Sequence, residues 1–191
     1  MAQFIVTTLA DENDSGASVA NPGGTGLSLR EAVALANNAA GADTILFDQG
    51  LAGTIRLTLD EISITDDLTI NGGEAFESNL ITIRGASLGD DVLADGVTDL
   101  AASTAGGYLS DNTRIFTATA DLTLQSLIIT GGRTEGNSLF SSFSNQGGAI
   151  HVDGSTNALT IRNSTIAGNS TDGTNSEGGA IYADGGLYIS D

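Results

Sequence analysis

Gly147-Gly148-Ala149-Ile150-His151-Val152-Asp153-Gly154 returns thirty-one residues later as Gly178-Gly179-Ala180-Ile181-Tyr182-Ala183-Asp184-Gly185. Each copy is followed by a similar apolar alternation, Leu159-Thr160-Ile161 after the first and Leu187-Tyr188-Ile189 after the second. A period of this length marks a unit that stacks on copies of itself, because one such unit cannot bury its apolar face alone. A second alignment extends the series backwards. Leu122-Thr123-Leu124-Gln125-Ser126-Leu127-Ile128-Ile129-Thr130-Gly131-Gly132 set beside Leu159-Thr160-Ile161-Arg162-Asn163-Ser164-Thr165-Ile166-Ala167-Gly168-Asn169 keeps apolar positions in step. Leu122 matches Leu159, Leu124 matches Ile161, Ile129 matches Ile166, and Gly131 matches Gly168. A hairpin-built sandwich has no reason to repeat such a pattern. An all-β, right-handed parallel β-helix (a solenoid) does, since each coil lies about 4.8 Å above the last and equivalent side chains stack.

The coil can be sketched from the better copy. Ala149 to Val152 forms one strand with Ile150 and Val152 inward, Leu159 to Asn163 a second with Leu159 and Ile161 inward, and Thr165 to Ala167 a third. Asn163 falls at a corner, where its tolerance of left-handed backbone is useful. The segments 153–157 and 168–177 read as loops that vary outside the coil. In this register Ile150 rests on Ile181, Leu159 on Leu187 and Ile161 on Ile189.

Upstream the same period of two appears in short runs: Phe4 to Leu9, Ile45 with Phe47, Ile55 with Leu57 and Leu59, Ile62 with Ile64, Leu68 with Ile70, Leu80 to Ile83, and Ile115-Phe116. One segment departs from it. Ser28-Leu29-Arg30-Glu31 is a capping box, and Leu29, Val33 and Ala36 then share one helical face. Asn37-Asn38 and Gly41 offer the stop. This short helix needs an apolar partner, and the open end of a β-helix, with its unpaired strand edges, supplies one. The expected organisation is a single domain over 1–191. Residues 1–43 form the N-terminal strand, loop and capping helix; residues 44–191 form coils, with a long excursion at 86–113. The array stops at Asp191 in mid-coil, which suggests the N-terminal part of a longer protein, or an open end that meets a partner.

Twenty-four acidic residues stand against six arginines and no lysine, for a net charge of -18. That balance argues against nucleic acid and anionic membrane surfaces as partners, since both attract cationic proteins. No cysteine is present, so disulfides contribute nothing. No apolar run approaches the roughly 18 residues of a membrane span. The first six residues lack the basic and apolar regions of a secretory signal.

Phe4-Ile5-Val6-Thr7-Thr8-Leu9-Ala10-Asp11-Glu12 followed by Leu27-Ser28-Leu29-Arg30-Glu31-Ala32-Val33-Ala34-Leu35-Ala36-Asn37 resembles the CSLREA domain, which opens many large bacterial β-helix proteins. Gly41-Ala42-Asp43-Thr44-Ile45-Leu46-Phe47 fits as well, and the Gly-Gly-Ala-Ile repeats resemble those of polymorphic outer-membrane adhesins. Leu27 stands in place of the signature cysteine and can fill the same buried site. The resemblance implies a secreted or cell-surface adhesin-like protein, often exported through a C-terminal signal. It implies no catalytic site.

The residues themselves point to little chemistry. His151 is the only histidine, and its counterpart Tyr182 argues for a solvent-facing strand position rather than a catalyst. The arginines are scattered with no evident partner set, so no catalytic residue is assigned. Calcium is a candidate ligand because carboxylates and asparagine amides are its usual donors. Asp11-x-Asn13-x-Ser15-Gly16 mimics the start of an EF-hand loop, but Pro22 occupies the position that needs a bidentate glutamate. Asp153 and Asp184 stack one above the other if the repeat is in register, and turns facing solvent are the simpler account of both. Asp11, Asn13, Asp153 and Asp184 are therefore weak calcium candidates, and no cofactor is required. Asp90, Asp91, Asp95, Asp99 and Asp111 make the excursion acidic.

The expected function is a non-catalytic structural or adhesin-like module, extracellular or at a bacterial surface, meeting a host surface, a glycan or another protein chain. One alternative is a polysaccharide-binding or polysaccharide-cleaving β-helix. Another is a subunit of an extracellular filament assembled end to end.

Overall fold

The computed structural model describes residues 1–73, 81–85, 114–135, 146–172 and 177–191. In chain order its elements are β1 (Gln3–Val6), α1 (Leu29–Asn38), β2 (Asp43–Phe47), β3 (Gly53–Arg56), β4 (Ile62–Ile64), β5 (Leu68–Asn71), β6 (Ile81–Arg84), β7 (Phe116–Ala118) and β8 (Leu122–Gln125). They continue with β9 (Leu127–Thr130), β10 (Arg133–Glu135), β11 (Ile150–Val152), β12 (Ala158–Arg162), β13 (Thr165–Ala167), β14 (Ser170–Asp172), β15 (Ile181–Ala183) and β16 (Gly186–Ser190). Among the described residues the fold is all-β with one helix, and the named strands pair in parallel.

Three sheets carry the architecture. The first runs β1-β2-β5-β8-β12-β16, the second β3-β6-β9-β13, and the third β4-β7-β11-β15. The chain therefore visits the first, second and third sheets in turn and comes back to the first beside its earlier strand. Register makes each apolar position a column. Phe4, Ile45, Ile70, Leu124, Ile161 and Ile189 are successive partners in the first sheet. Ile55, Ile83, Ile129 and Ile166 follow one another in the second, and Ile62, Phe116, Ile150 and Ile181 in the third. Most of these side chains are fully buried, each contributing roughly 1.5–3 kcal/mol. The expected pairings of Ile150 with Ile181, Leu159 with Leu187 and Ile161 with Ile189 are all present. Leu187 and Ile189 nonetheless remain 47% and 66% exposed on β16, which pairs on one side only.

The helix begins as its capping box dictates. The Ser28 hydroxyl accepts from the Glu31 N–H, and a Glu31 carboxylate oxygen accepts from the Ser28 N–H at 2.9 Å. Leu29, Ala32, Val33 and Ala36 are buried against β1, β2 and β4, so the helix covers the first strands. It stops at an extended Ala39 rather than at a glycine cap.

Corners repeat too. Asn163 has φ +46 and donates its N–H to Ser190 O; its counterpart one turn earlier, Ser126, has φ +55 and donates to Arg162 O. Both Gly147 and Gly148 are required by their neighbours. Gly147 has φ +61, and a Cβ on Gly148 would run into the Ser170 carbonyl. The expected left-handed corner at Asn163 is thus present, and close backbone explains the paired glycines of the first copy, Gly147 and Gly148.

Three expectations need correction. Strand β1 ends at Val6, because Thr7 turns its N–H to Leu27 O at 2.9 Å. Leu59, placed in the apolar alternation, is 43% exposed, since β3 ends at Arg56. The segment 168–177 is not wholly loop: β14 lies within it and pairs in parallel with β10. Leu80 and the excursion 86–113, with Asp90, Asp91, Asp95, Asp99 and Asp111, lie outside the described residues.

Candidate functional site

The two pairs of calcium candidates occupy separate places. Asp11 lies in the loop before α1, with its side chain 1% exposed, and both its oxygens are engaged. Oδ1 accepts from Arg30 Nε at 2.8 Å, while Oδ2 accepts from Arg30 Nη2, Thr58 N and Leu59 N at 3.1, 2.8 and 2.9 Å. Arg30 also donates to the Asp60 and Glu61 carbonyls, so this carboxylate ties α1 to the segment between β3 and β4. Neighbouring carboxylates act likewise. Glu12 accepts from the Thr25 N–H and hydroxyl, and Glu31 accepts from Asp14 N as well as Ser28 N. Asn13 is exposed and lines a shallow pocket with Arg30, Thr58, Leu59 and Asp60. Asp11, Glu12 and Glu31 thus hold backbone in place.

Asp153 and Asp184 follow β11 and β15 in register. Asp153 N donates to Ala118 O and Asp184 N to Val152 O, at 2.8 and 3.0 Å. Both residues are exposed, each just past one of two paired strands of the third sheet. Among the described residues, no three histidine, cysteine, aspartate or glutamate side chains are grouped to hold a metal ion.

His151 is where the sequence reading departs furthest from the structure. Its outward column in the third sheet is Ser63, Thr117, His151 and Tyr182. An outward position predicts solvent exposure, yet His151 is only 7% exposed. Its ring meets Tyr182 with centroids 5.2 Å apart and planes inclined by 50°. Burial holds the imidazole below its ordinary value of 6.5; Arg114 pushes it the same way, and Asp153 and Asp184 oppose.

Arg114 itself has a full partner set, contrary to the reading of the arginines as scattered charges. Nη1 donates to Glu61 Oε2 at 2.9 Å, Nη2 to Gln146 O at 2.8 Å, and Nε to Gln146 O and Gly147 O at 3.1 and 2.9 Å. Gln146 continues the line by donating Nε2 to Glu177 Oε2 at 2.9 Å. Glu61, Arg114, Gln146 and Glu177 thus precede β4, β7, β11 and β15, the successive strands of the third sheet. Burial pulls the guanidinium below its usual range, and Glu61 counteracts that. Arg84 and Arg162, read as outward charges, are exposed.

A related device went unread. Asp67 Oδ1 accepts from Asp121 N, and Asp121 Oδ1 accepts from Ala158 N, each joining one turn to the next. The signal lay in Asp67-Leu68-Thr69 and Asp121-Leu122-Thr123, where an aspartate precedes the strand at the same position.

The site and fold define an all-β protein of parallel sheets in which several polar side chains bond between neighbouring strands or the segments beside them. No protein-family model matches the chain, and searches of curated proteins and of solved structures find no match either. Among the described residues no helix is long and apolar enough to cross a membrane.

Proposed function

We propose that the strands wind as a right-handed parallel β-helix, and that the chain is a non-catalytic, adhesin-like structural module of a secreted or cell-surface bacterial protein. The observation that carries this reading is the recurrence of the three sheets in the same order, with columns in register from Phe4 to Ile189. Parallel crossovers of this kind are right-handed in nearly all proteins, which supplies the hand. A stacked array makes long regular faces suited to contact with a glycan, a host surface or another protein chain. The side chains that first suggest chemistry have structural tasks: Asp11 anchors α1, and His151 packs on Tyr182. The resemblance to CSLREA-domain proteins points the same way.

Incubation of the protein with uronic-acid polymers and calcium tests the non-catalytic reading. No unsaturated products are expected above the buffer control, and sustained turnover would overturn it in favour of a polysaccharide-cleaving β-helix.

In the alternative reading the chain is a filament subunit assembled end to end, with the apolar column of Ile161 and Ile189 continued by another copy. That reading requires mass to grow with concentration in sedimentation, and growth to be lost in Ile189→Asp. A constant monomer mass contradicts it.

A further inference from the structure

The outward face of the second sheet carries two columns of side chains. Thr54, Thr82 and Ile128 are successive partners in one, and Arg56, Arg84 and Thr130 in the other. Arg56 and Arg84 therefore stand side by side on neighbouring strands, about 4.8 Å apart at the backbone. Like charges directly opposite one another weaken strand pairing. A chain with six basic residues against 24 acids nonetheless sets two of the six in register here.

Elsewhere the fold answers an arginine with a carboxylate, Arg30 with Asp11 and Arg114 with Glu61. Arg84 is answered by none: it makes no hydrogen bond or ion pair among the described residues. Both Arg56 and Arg84 are exposed. Strand β6 has a partner on each side, so the exposure of Arg84 belongs to the middle of a sheet and not to an edge. The buried Ile55 and Ile83, one residue before each arginine, fix both strands and turn the arginine stems outward.

A guanidinium offers parallel N–H donors that match the two oxygens of a carboxylate. Two such forks on adjacent strands suit carboxylates repeated along a polymer better than a single small anion. Two residues back along each strand, about 7 Å away, Thr54 and Thr82 lie on the same face. Thr54 is exposed and Thr82 partly so, and each hydroxyl both donates and accepts, as sugar hydroxyls do. We propose that the Arg56–Arg84 face binds a uronate-bearing polysaccharide without cleaving it. This rests on the reading of the chain as a non-catalytic module that meets a glycan, and it names that glycan's chemistry. The net charge of -18 opposes a polyanion at long range. At about 0.15 M ionic strength, charges beyond roughly 8 Å are largely screened, which leaves contact to the paired guanidiniums.

The test titrates polygalacturonate into the full chain at about 0.15 M salt, with binding followed by calorimetry. Two further polymers divide the chemistry: the fully methyl-esterified form keeps the sugars without the charges, and polyglutamate keeps the charges without the sugars. Polygalacturonate is expected to bind and the other two are not. Arg84→Gln should weaken binding about tenfold or more, as the loss of a charge-assisted hydrogen bond does. Arg84→Lys, which keeps the charge but loses the fork, should also weaken it at an unchanged melting temperature, separating recognition from folding. Arg162→Gln, on the first sheet, should bind as wild type does. Absence of binding by wild type, equal binding of either control polymer, or full binding by Arg56→Gln/Arg84→Gln overturns the proposal. Such a failure leaves the non-catalytic reading in place, because that reading is judged by product formation and not by binding.

Discussion

Burying an imidazole beside a guanidinium ties stability to pH with a definite sign. The folded state holds His151 below its ordinary value of 6.5, chiefly through burial and secondly through Arg114. Above that value both folded and unfolded chains carry a neutral ring, and the residue adds no pH dependence. As pH falls through 6.5 the unfolded chain takes up a proton first, so stability declines until the folded-state value is passed. Asp153 and Asp184 oppose the shift and limit the loss. In thermal melts from about pH 7.5 to about pH 5, His151 should contribute a decline in melting temperature, read against a variant because the net charge of -18 also changes over this range. In His151→Phe, which keeps an aromatic ring against Tyr182, that decline should be smaller. Equal declines in the two proteins would remove His151 from the account.

Among the elements, the helix was the most legible from the sequence because its signals are local. Ser28 and Glu31 lie three residues apart, and the buried face recurs at helical spacing. Ser28→Ala should destabilise the protein by about 1 kcal/mol, within the usual 0.5–2 kcal/mol range for a lost N-cap. The Ser28 hydroxyl also donates to Glu12 O at 2.9 Å, which favours the upper part of that range. Urea denaturation checks this, and an unchanged midpoint would contradict it. Strands with alternating apolar residues were equally readable, and so were their registers where the repeat was strong. The strands β10 and β14 were not, because Arg-Thr-Glu and Ser-Thr-Asp have no apolar alternation; only pairing between adjacent turns makes them strands. The partners of Arg114 lie 53 residues before it and 32 and 33 residues after it. Separations of that size become contacts only once the turns are stacked. His151 was misread for a similar reason, since period two assigns its face of the strand but not what covers that face.

At the scale of the molecule, each strand contacts its neighbours in the sheet, so the cost of a core truncation depends on its place in the strand order. Ile161 lies between Leu124 and Ile189 and is 2% exposed, whereas Ile189 is 66% exposed. Ile161→Ala should cost about 2–5 kcal/mol, the range for emptying a buried aliphatic site. Ile189→Ala, in the same column, should change stability by less than about 0.5 kcal/mol, as exposed substitutions do. Equal effects would show that the column is not packed as described. The same pairing unites the polar observations: Asp67, Asp121, Arg114 and Gln146 all bond to residues beside a neighbouring strand.

In-register parallel stacking is the claim on which the rest depends, and the chain's lack of cysteine permits a disulfide test without background. Thr123 and Thr160 are direct partners on the outward face of the first sheet, and Arg162 lies two residues further along the same face. Direct partners fall within disulfide reach, while the diagonal pair is about 7–8 Å apart and beyond it. Under mild oxidation the double variant Thr123→Cys/Thr160→Cys should form its disulfide readily in the folded monomer, and Thr123→Cys/Arg162→Cys should not. Efficient bridging of the diagonal pair together with failure of the direct pair would contradict the register, and with it the stacked fold.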